Sequence, residues 1–171
     1  MSYLITREES NRHLANSVTY LTIVNDNEKA LQEIIVDAAK VIRENDWEHI
    51  ETNPIFQVWD DKGGRNASWD VIDIHSGRWA VVRTWAAESC ASVECICSTN
   101  DYNTAVLALD DNYEDSLMSY QYYGEPWIEG SFDGCKYMKT ESMKALIHYT
   151  LIDTWQLQKN LNVKIYYVNK N

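Results

Sequence analysis

The stretch Trp127-Ile128-Glu129-Gly130-Ser131-Phe132-Asp133-Gly134-Cys135-Lys136-Tyr137-Met138-Lys139 decides how this chain is read. Two strand-like runs, Trp127–Phe132 and Cys135–Lys139, flank Asp133-Gly134. Asp-Gly suits a two-residue hairpin turn, because its central residues take positive φ and glycine does so without a Cβ penalty. An antiparallel pair is therefore expected here. Ser68–His75 and Arg78–Trp85 predict a second pair across Ser76-Gly77, with glycine again supplying the positive φ. Ser17–Val24, Ile55–Asp60, Ser92–Ser98 and Val163–Val168 read as further strands, on their β-branched and aromatic content.

Helices are expected around these strands. Asn25 followed by Glu28 opens an amphipathic helix near 28–44, with Leu31, Ile34, Ile35, Ala38, Val41 and Ile42 on one face. Thr140 caps a C-terminal helix near 140–158, with Met143, Ile147, Leu151 and Trp155 at four-residue spacing. Thr6 and Glu9 match a capping box, which predicts a short helix over 7–15. Residues 101–126 read two ways: Asn103–Leu109 as a strand, or Tyr113, Leu117 and Tyr120 on one face of a short helix. Together these give an α+β fold with a largely antiparallel sheet, in a single acidic domain over 1–171.

Composition sets further bounds. At 171 residues, 45% hydrophobic and 12% aromatic, the chain can bury a sizeable core without staples. The N-terminal MSYLITREESNRH holds no apolar signal-like run, and no stretch approaches the length of a membrane span. A cytoplasmic location is expected, with no membrane partner and with Cys90, Cys95, Cys97 and Cys135 as free thiols. Val93, Cys95 and Cys97 would share one buried strand face.

Charge is the strongest functional signal. The formal net charge is −11. The 52 residues from 84 to 135 contain no lysine or arginine but ten acids: Glu88, Glu94, Asp101, Asp110, Asp111, Glu114, Asp115, Glu125, Glu129 and Asp133. Such a field repels nucleic acid and anionic membranes and attracts basic surfaces. Net charge also simply keeps proteins dispersed.

Motifs for catalysis are sparse. Asp70, Asp73 and His75 are the residue types of a small metal-dependent hydrolase, but no second histidine stands at ligand spacing. The cysteine spacing is not that of a zinc site, and Glu88 and Glu94 would disfavour a thiolate. His148-Tyr149-Thr150 has the H-x-T form of two-motif phosphodiesterases, with no second copy. Asp110–Asp115 lacks the glycine of a calcium loop. No catalytic residue, metal ligand or cofactor is assigned.

The expectation is thus a non-enzymatic binding protein that inhibits a basic, nucleic-acid-handling partner. Phage inhibitors of restriction or CRISPR systems and toxin-immunity proteins share this charge and size, and carboxylates could mimic phosphates. The expected contact residues are Asp101, Asp110, Asp111, Glu114 and Asp115, with Tyr113, Tyr120, Tyr122, Tyr123 and Trp127 as anchors. Tyr102 lies among the same acids. A hydrolase using Asp70, Asp73 and His75 is the first alternative. The second is a ligand-binding module in which Trp59, Trp69, Trp79, Trp85 and Trp127 line a pocket.

Overall fold

The computed structural model describes residues 1–11, 15–52, 56–60, 64–87, 90–119, 124–132, 134–156, 163–164 and 168–169. In chain order these form β1 (Tyr3–Asn11), β2 (Ala15–Val24), α1 (Asn27–Asn45), β3 (His49–Glu51), β4 (Phe56–Trp59), β5 (Arg65–Asp73), β6 (Trp79–Ala87) and β7 (Cys90–Thr99). There follow α2 (Tyr102–Ser119), β8 (Trp127–Phe132), β9 (Cys135–Thr140), β10 (Ala145–Asp153), a 3₁₀ turn (Thr154–Gln156), β11 (Val163–Lys164) and β12 (Val168–Asn169). The fold is α+β, and its strands divide into two antiparallel sheets. One has the order β11-β2-β1-β5-β4-β3, with β12 also on β2, and the other runs β7-β6-β10-β9-β8.

Three apolar clusters stack these elements into layers. Ala30, Ile34, Ala38 and Val41 of α1 pack on Ile5, Leu21, Val58 and Trp69 of the first sheet. Leu4, Val18 and Tyr20 of that sheet meet Ala80, Val82 and Ile152 of the second. On the far side, Val81, Met138, Ile147 and Tyr149 meet Ala105, Leu109 and Tyr113 of α2. The order through the molecule is helix, sheet, sheet, helix. Both sheets are covered on both faces where they are central, so their strands cannot read as simple apolar–polar alternation.

Local chemistry accounts for the elements that sequence reading finds. Asp26 caps α1 by accepting from the backbone N–H of Glu28 and Lys29, and Asp46 closes it in a left-handed conformation. Arg7 and the Trp69 indole then pin the helix to the sheet, both donating to the Asp37 carboxylate at 2.7–2.9 Å. The hairpin at 127–139 is present: β8 pairs with β9, Phe132 faces Cys135, and Gly134 has φ 76°. Asp133 itself lies outside the described residues.

Five expectations need correction. Leu31 and Ile35 do not belong to the covered face of α1: both are exposed, and Ala30, Ile34, Ala38 and Val41 form the buried stripe, because the first sheet covers only that side. The C-terminal helix is the strand β10, which pairs with β6 and β9; residues 157–158 lie outside the described residues. Ala145 through Tyr149 are all buried, with Ile147 and Tyr149 turned to α2 and Ile152 to the other sheet. Each such side chain contributes about 1.5–3 kcal/mol on burial, which outweighs the few tenths per residue of helix propensity. The helix over 7–15 is instead the strand β1, hydrogen-bonded on both sides to β2 and β5; residues 12–14 are not described. Two full ladders outweigh one capping box.

The pair across Ser76-Gly77 is a crossover between sheets, because β5 lies in the first sheet and β6 in the second. Positive φ falls on His75 (59°) and not on Gly77. Gly77 is required for another reason: a Cβ there would lie 2.4 Å from the Thr99 backbone nitrogen. Finally, Cys95 and Cys97 do not share a face. The β6–β7 register slips between Val81 and Val82, so Cys95 packs between the sheets while Ile96 and Cys97 pack toward α2.

Candidate functional site

Helix α2 is the element that resolves the ambiguous region, and it carries four of the ten acids. Its core stripe is Ala105, Leu109, Tyr113 and Ser116, all buried. Opposite that stripe, Leu107, Asp111, Glu114, Asp115 and Met118 are exposed along about 16 Å of helix. Leu107 is 61% and Met118 77% exposed, so an acidic ridge is interleaved with bare apolar side chains.

The expected contact residues separate into two sets. Asp111, Glu114 and Asp115 project outward and make no ion pair among the described residues. Asp101, Asp110, Tyr113 and Trp127 serve the fold. Asp101 caps α2: its carboxylate accepts from Thr104 Oγ1 and from the Thr104 backbone N–H, each at 2.7 Å, and these bonds hold its carboxyl below the ordinary value. Asp110 pairs with Lys136 Nζ of β9 at 2.6 Å, and that ammonium also sits 5.4 Å from the Tyr113 ring centroid.

Tyr113 is 6% exposed and is therefore a core residue. Its hydroxyl donates to Glu129 Oε1 at 2.9 Å and to the Tyr137 carbonyl at 3.2 Å, and burial together with the Glu129 carboxylate pushes the phenol pKa up. Trp127 is half-buried against the cluster beneath α2. Tyr120, Tyr122 and Tyr123 lie outside the described residues.

The charge placement on α2 runs against helix electrostatics. Its first turn has no acid and its last turn no base, while all four carboxylates fall between Asp110 and Asp115. The helix dipole acts within the first and last turns, so these mid-helix carboxylates gain nothing from it. Asp111 with Glu114 and Asp111 with Asp115 are also like-charge neighbours at three- and four-residue spacing, each destabilising by about 0.2–0.5 kcal/mol. Stability of the helix does not explain these residues.

The two other constellations stay dispersed. Asp70 and Asp73 point to opposite faces of β5, whose register with β1 is unbroken on the β5 side. Asp73 accepts the His75 backbone N–H at 2.7 Å, which makes it a turn-closing residue, with the His75 ring nitrogen 3.4 Å away. Among the described residues no group of three or more His, Cys, Asp or Glu is placed to hold a metal ion. His148 is buried on β10, its Nδ1 3.0 Å from the Thr150 hydroxyl, and burial pushes its imidazole down to about 4. The tryptophans divide among clusters: Trp47 and Trp69 under α1, Trp79, Trp85 and Trp127 under α2, and Trp59 stacked on His49.

Sequence reasoning did not identify Leu107 and Met118 as exposed, nor the Asp110–Lys136 pair. No local signal gives them, because they depend on which face of α2 the second sheet covers. No helix among the described residues is long and apolar enough to cross a membrane. Comparison with family models, curated proteins and solved structures gives no match for the chain.

Proposed function

We propose that this chain is a non-enzymatic, cytoplasmic binding protein that inhibits a basic, nucleic-acid-handling partner, and that the outward face of α2 is its contact surface. Anti-restriction, anti-CRISPR and toxin-immunity roles all fit that chemistry. One observation carries the reading: Asp111, Glu114 and Asp115 stand exposed, with no ion-pair partner among the described residues, at spacings where they repel one another along the helix. A cost to local stability without a structural return is the usual mark of a residue held for contact with something else.

The geometry gives the reading a mechanism. Asp111 and Asp115 are four residues apart, about 6 Å along the helix axis. Two phosphate steps along one DNA strand span about 6.8 Å, so a groove built for phosphates meets a similar charge spacing. The carboxylates supply on-rate and selectivity, and Leu107 with Met118 supplies the dry contact that lowers off-rate.

The test is retention of a partner from host lysate on the immobilised chain, at low salt and again at about 0.5 M, where screening is short-ranged. A single basic nucleic-acid-binding protein, retained stoichiometrically and displaced by DNA or RNA, supports the proposal. The variant Asp111→Lys, Glu114→Lys, Asp115→Lys should lose it. Equal retention by that variant removes α2 as the contact face.

A further inference from the structure

Beside the acidic ridge, α2 and the strands β8, β9 and β10 border an open cleft of about 270 Å³. Val106, Leu109 and Leu151 give it an apolar floor, and Tyr102, Asp110 and Lys136 form its walls. Tyr102 is 51% exposed, yet its ring is fixed edge-on against Trp79, with centroids 4.9 Å apart. Asp110 gives one oxygen to Lys136, and its second oxygen has no partner among the described residues.

Building on the reading above, we infer that this cleft receives an arginine side chain of the basic partner. Arginine combines a hydrocarbon stem with a planar cation that stacks on aromatic faces and forks onto carboxylates. The floor suits the stem, Tyr102 suits the plane, and the free oxygen of Asp110 suits the fork. Lysine would fill the floor but gain little from Tyr102.

The chain already holds one guanidinium this way at the same end of the sheet. Arg78 lies 5.1 Å from the Trp79 ring centroid and 4.9 Å from that of Trp155, with Nη2 3.3 Å from Asp153. Trp79 is the ring that Tyr102 leans on, so an incoming arginine would extend an existing aromatic–guanidinium row. An anion drawn to Lys136 would have to displace Asp110 and approach a helix with four acids and no base. Lys136 subtracts from arginine affinity, which fixes the sign of a decisive variant.

The experiment is an NMR titration of the isolated chain at low salt with Nα-acetyl-arginine methylamide, beside its neutral citrulline analogue. Saturable shifts centred on Tyr102, Val106, Leu109 and Leu151 are expected, with citrulline about tenfold weaker or worse. Tyr102→Ala and Asp110→Asn should each weaken arginine severalfold. Lys136→Met should tighten it, because it frees Asp110 and removes a like charge. Thermal melts establish that each variant is folded. Equal binding of citrulline, shifts centred elsewhere, no saturation, or weaker arginine binding by Lys136→Met would each overturn the inference. The titration needs no partner, so it can fail while the α2 ridge still captures one. It can equally succeed where the ridge reading has failed.

Discussion

Neutralising the ridge should make the protein more stable. The perturbation is Asp111→Asn, Glu114→Gln, Asp115→Asn, which leaves Asp110 and its bond to Lys136 intact. Asparagine and glutamine differ little from the acids in helix propensity, so charge is the main change. Three like-charge neighbours (Asp111–Glu114, Asp111–Asp115 and Asp110–Glu114) are removed, at about 0.2–0.5 kcal/mol each. The sum is about 1 kcal/mol, or about 2–4 °C in melting temperature for a chain of this size. Circular dichroism melts at low salt and at about 0.5 M would measure it. The gain should shrink at high salt, since the repulsion is between exposed charges. The same variant should bind the partner less well. A variant no more stable than the parent at low salt, or a gain indifferent to salt, would refute the argument that these acids oppose their own helix.

Acid should unfold the protein partly through His148. Its folded value is about 4 against an ordinary 6.5, because burial beside Thr150 and the stacked Tyr137 ring favours the neutral form. That stability is complete above pH 6.5 and is lost as pH falls toward 4, at up to about 1.4 kcal/mol per pH unit and about 3 kcal/mol in all. Asp60, Asp101 and Glu125, whose carboxyls are held below their ordinary values, lose their share only at lower pH. Urea melts at pH 7.5 and 5 should show a His148→Gln variant with a flatter dependence; parallel curves would contradict the assignment. Gly77→Ala should cost about 1–3 kcal/mol in the same assay, because its Cβ meets the Thr99 nitrogen and the Ser98 carbonyl carbon, backbone that cannot swing away even where the Ser98 hydroxyl can. Tyr20→Phe should cost about 1–3 kcal/mol by leaving the Thr84 hydroxyl, 2.5 Å away between the sheets, without its buried partner. A loss below about 0.5 kcal/mol would mean that water or a rotated hydroxyl replaces the bond.

How much was legible depended on whether a residue's neighbours lie near it in sequence. The 127–139 hairpin and α1 were readable from local signals, the Asp133-Gly134 pair and a polar start before an apolar periodicity, although the cap of α1 is Asp26 and not the expected Asn25. The strand β10 was not, for a reason built into the spacing. Residues four apart share a face on a helix and also on a strand, where the period is two. Ile147 and Leu151 do share a face, but so does Tyr149 between them, while His148, Thr150 and Ile152 take the other. Only the layer beyond β10, the first sheet, makes that second face buried. Helix α2 was obscured from the opposite direction. It buries Ser116 and exposes Leu107 and Met118, which blurs the amphipathic pattern that would have announced it.

That blur is itself informative when the two helices are set side by side. Each covers the outer face of a sheet, so the structural demands on them are alike. Helix α1 meets those demands in the ordinary way: a capping aspartate, Glu28 in the first turn, Arg43 in the last, and bases interspersed with acids along its length. Helix α2 keeps the cap but drops every base and collects its acids within one six-residue stretch, Asp110–Asp115. Exposed apolar residues do not set it apart, since α1 exposes Leu31, Ile35 and Val36 as α2 exposes Leu107 and Met118. Dispersal in solution asks only for net charge and is indifferent to where on the surface it sits. The first helix shows that the fold does not need this pattern, and solubility does not select its position. That concentration of acids is what supports the proposed contact face, and reversal of Asp111, Glu114 and Asp115 is the change that tests it.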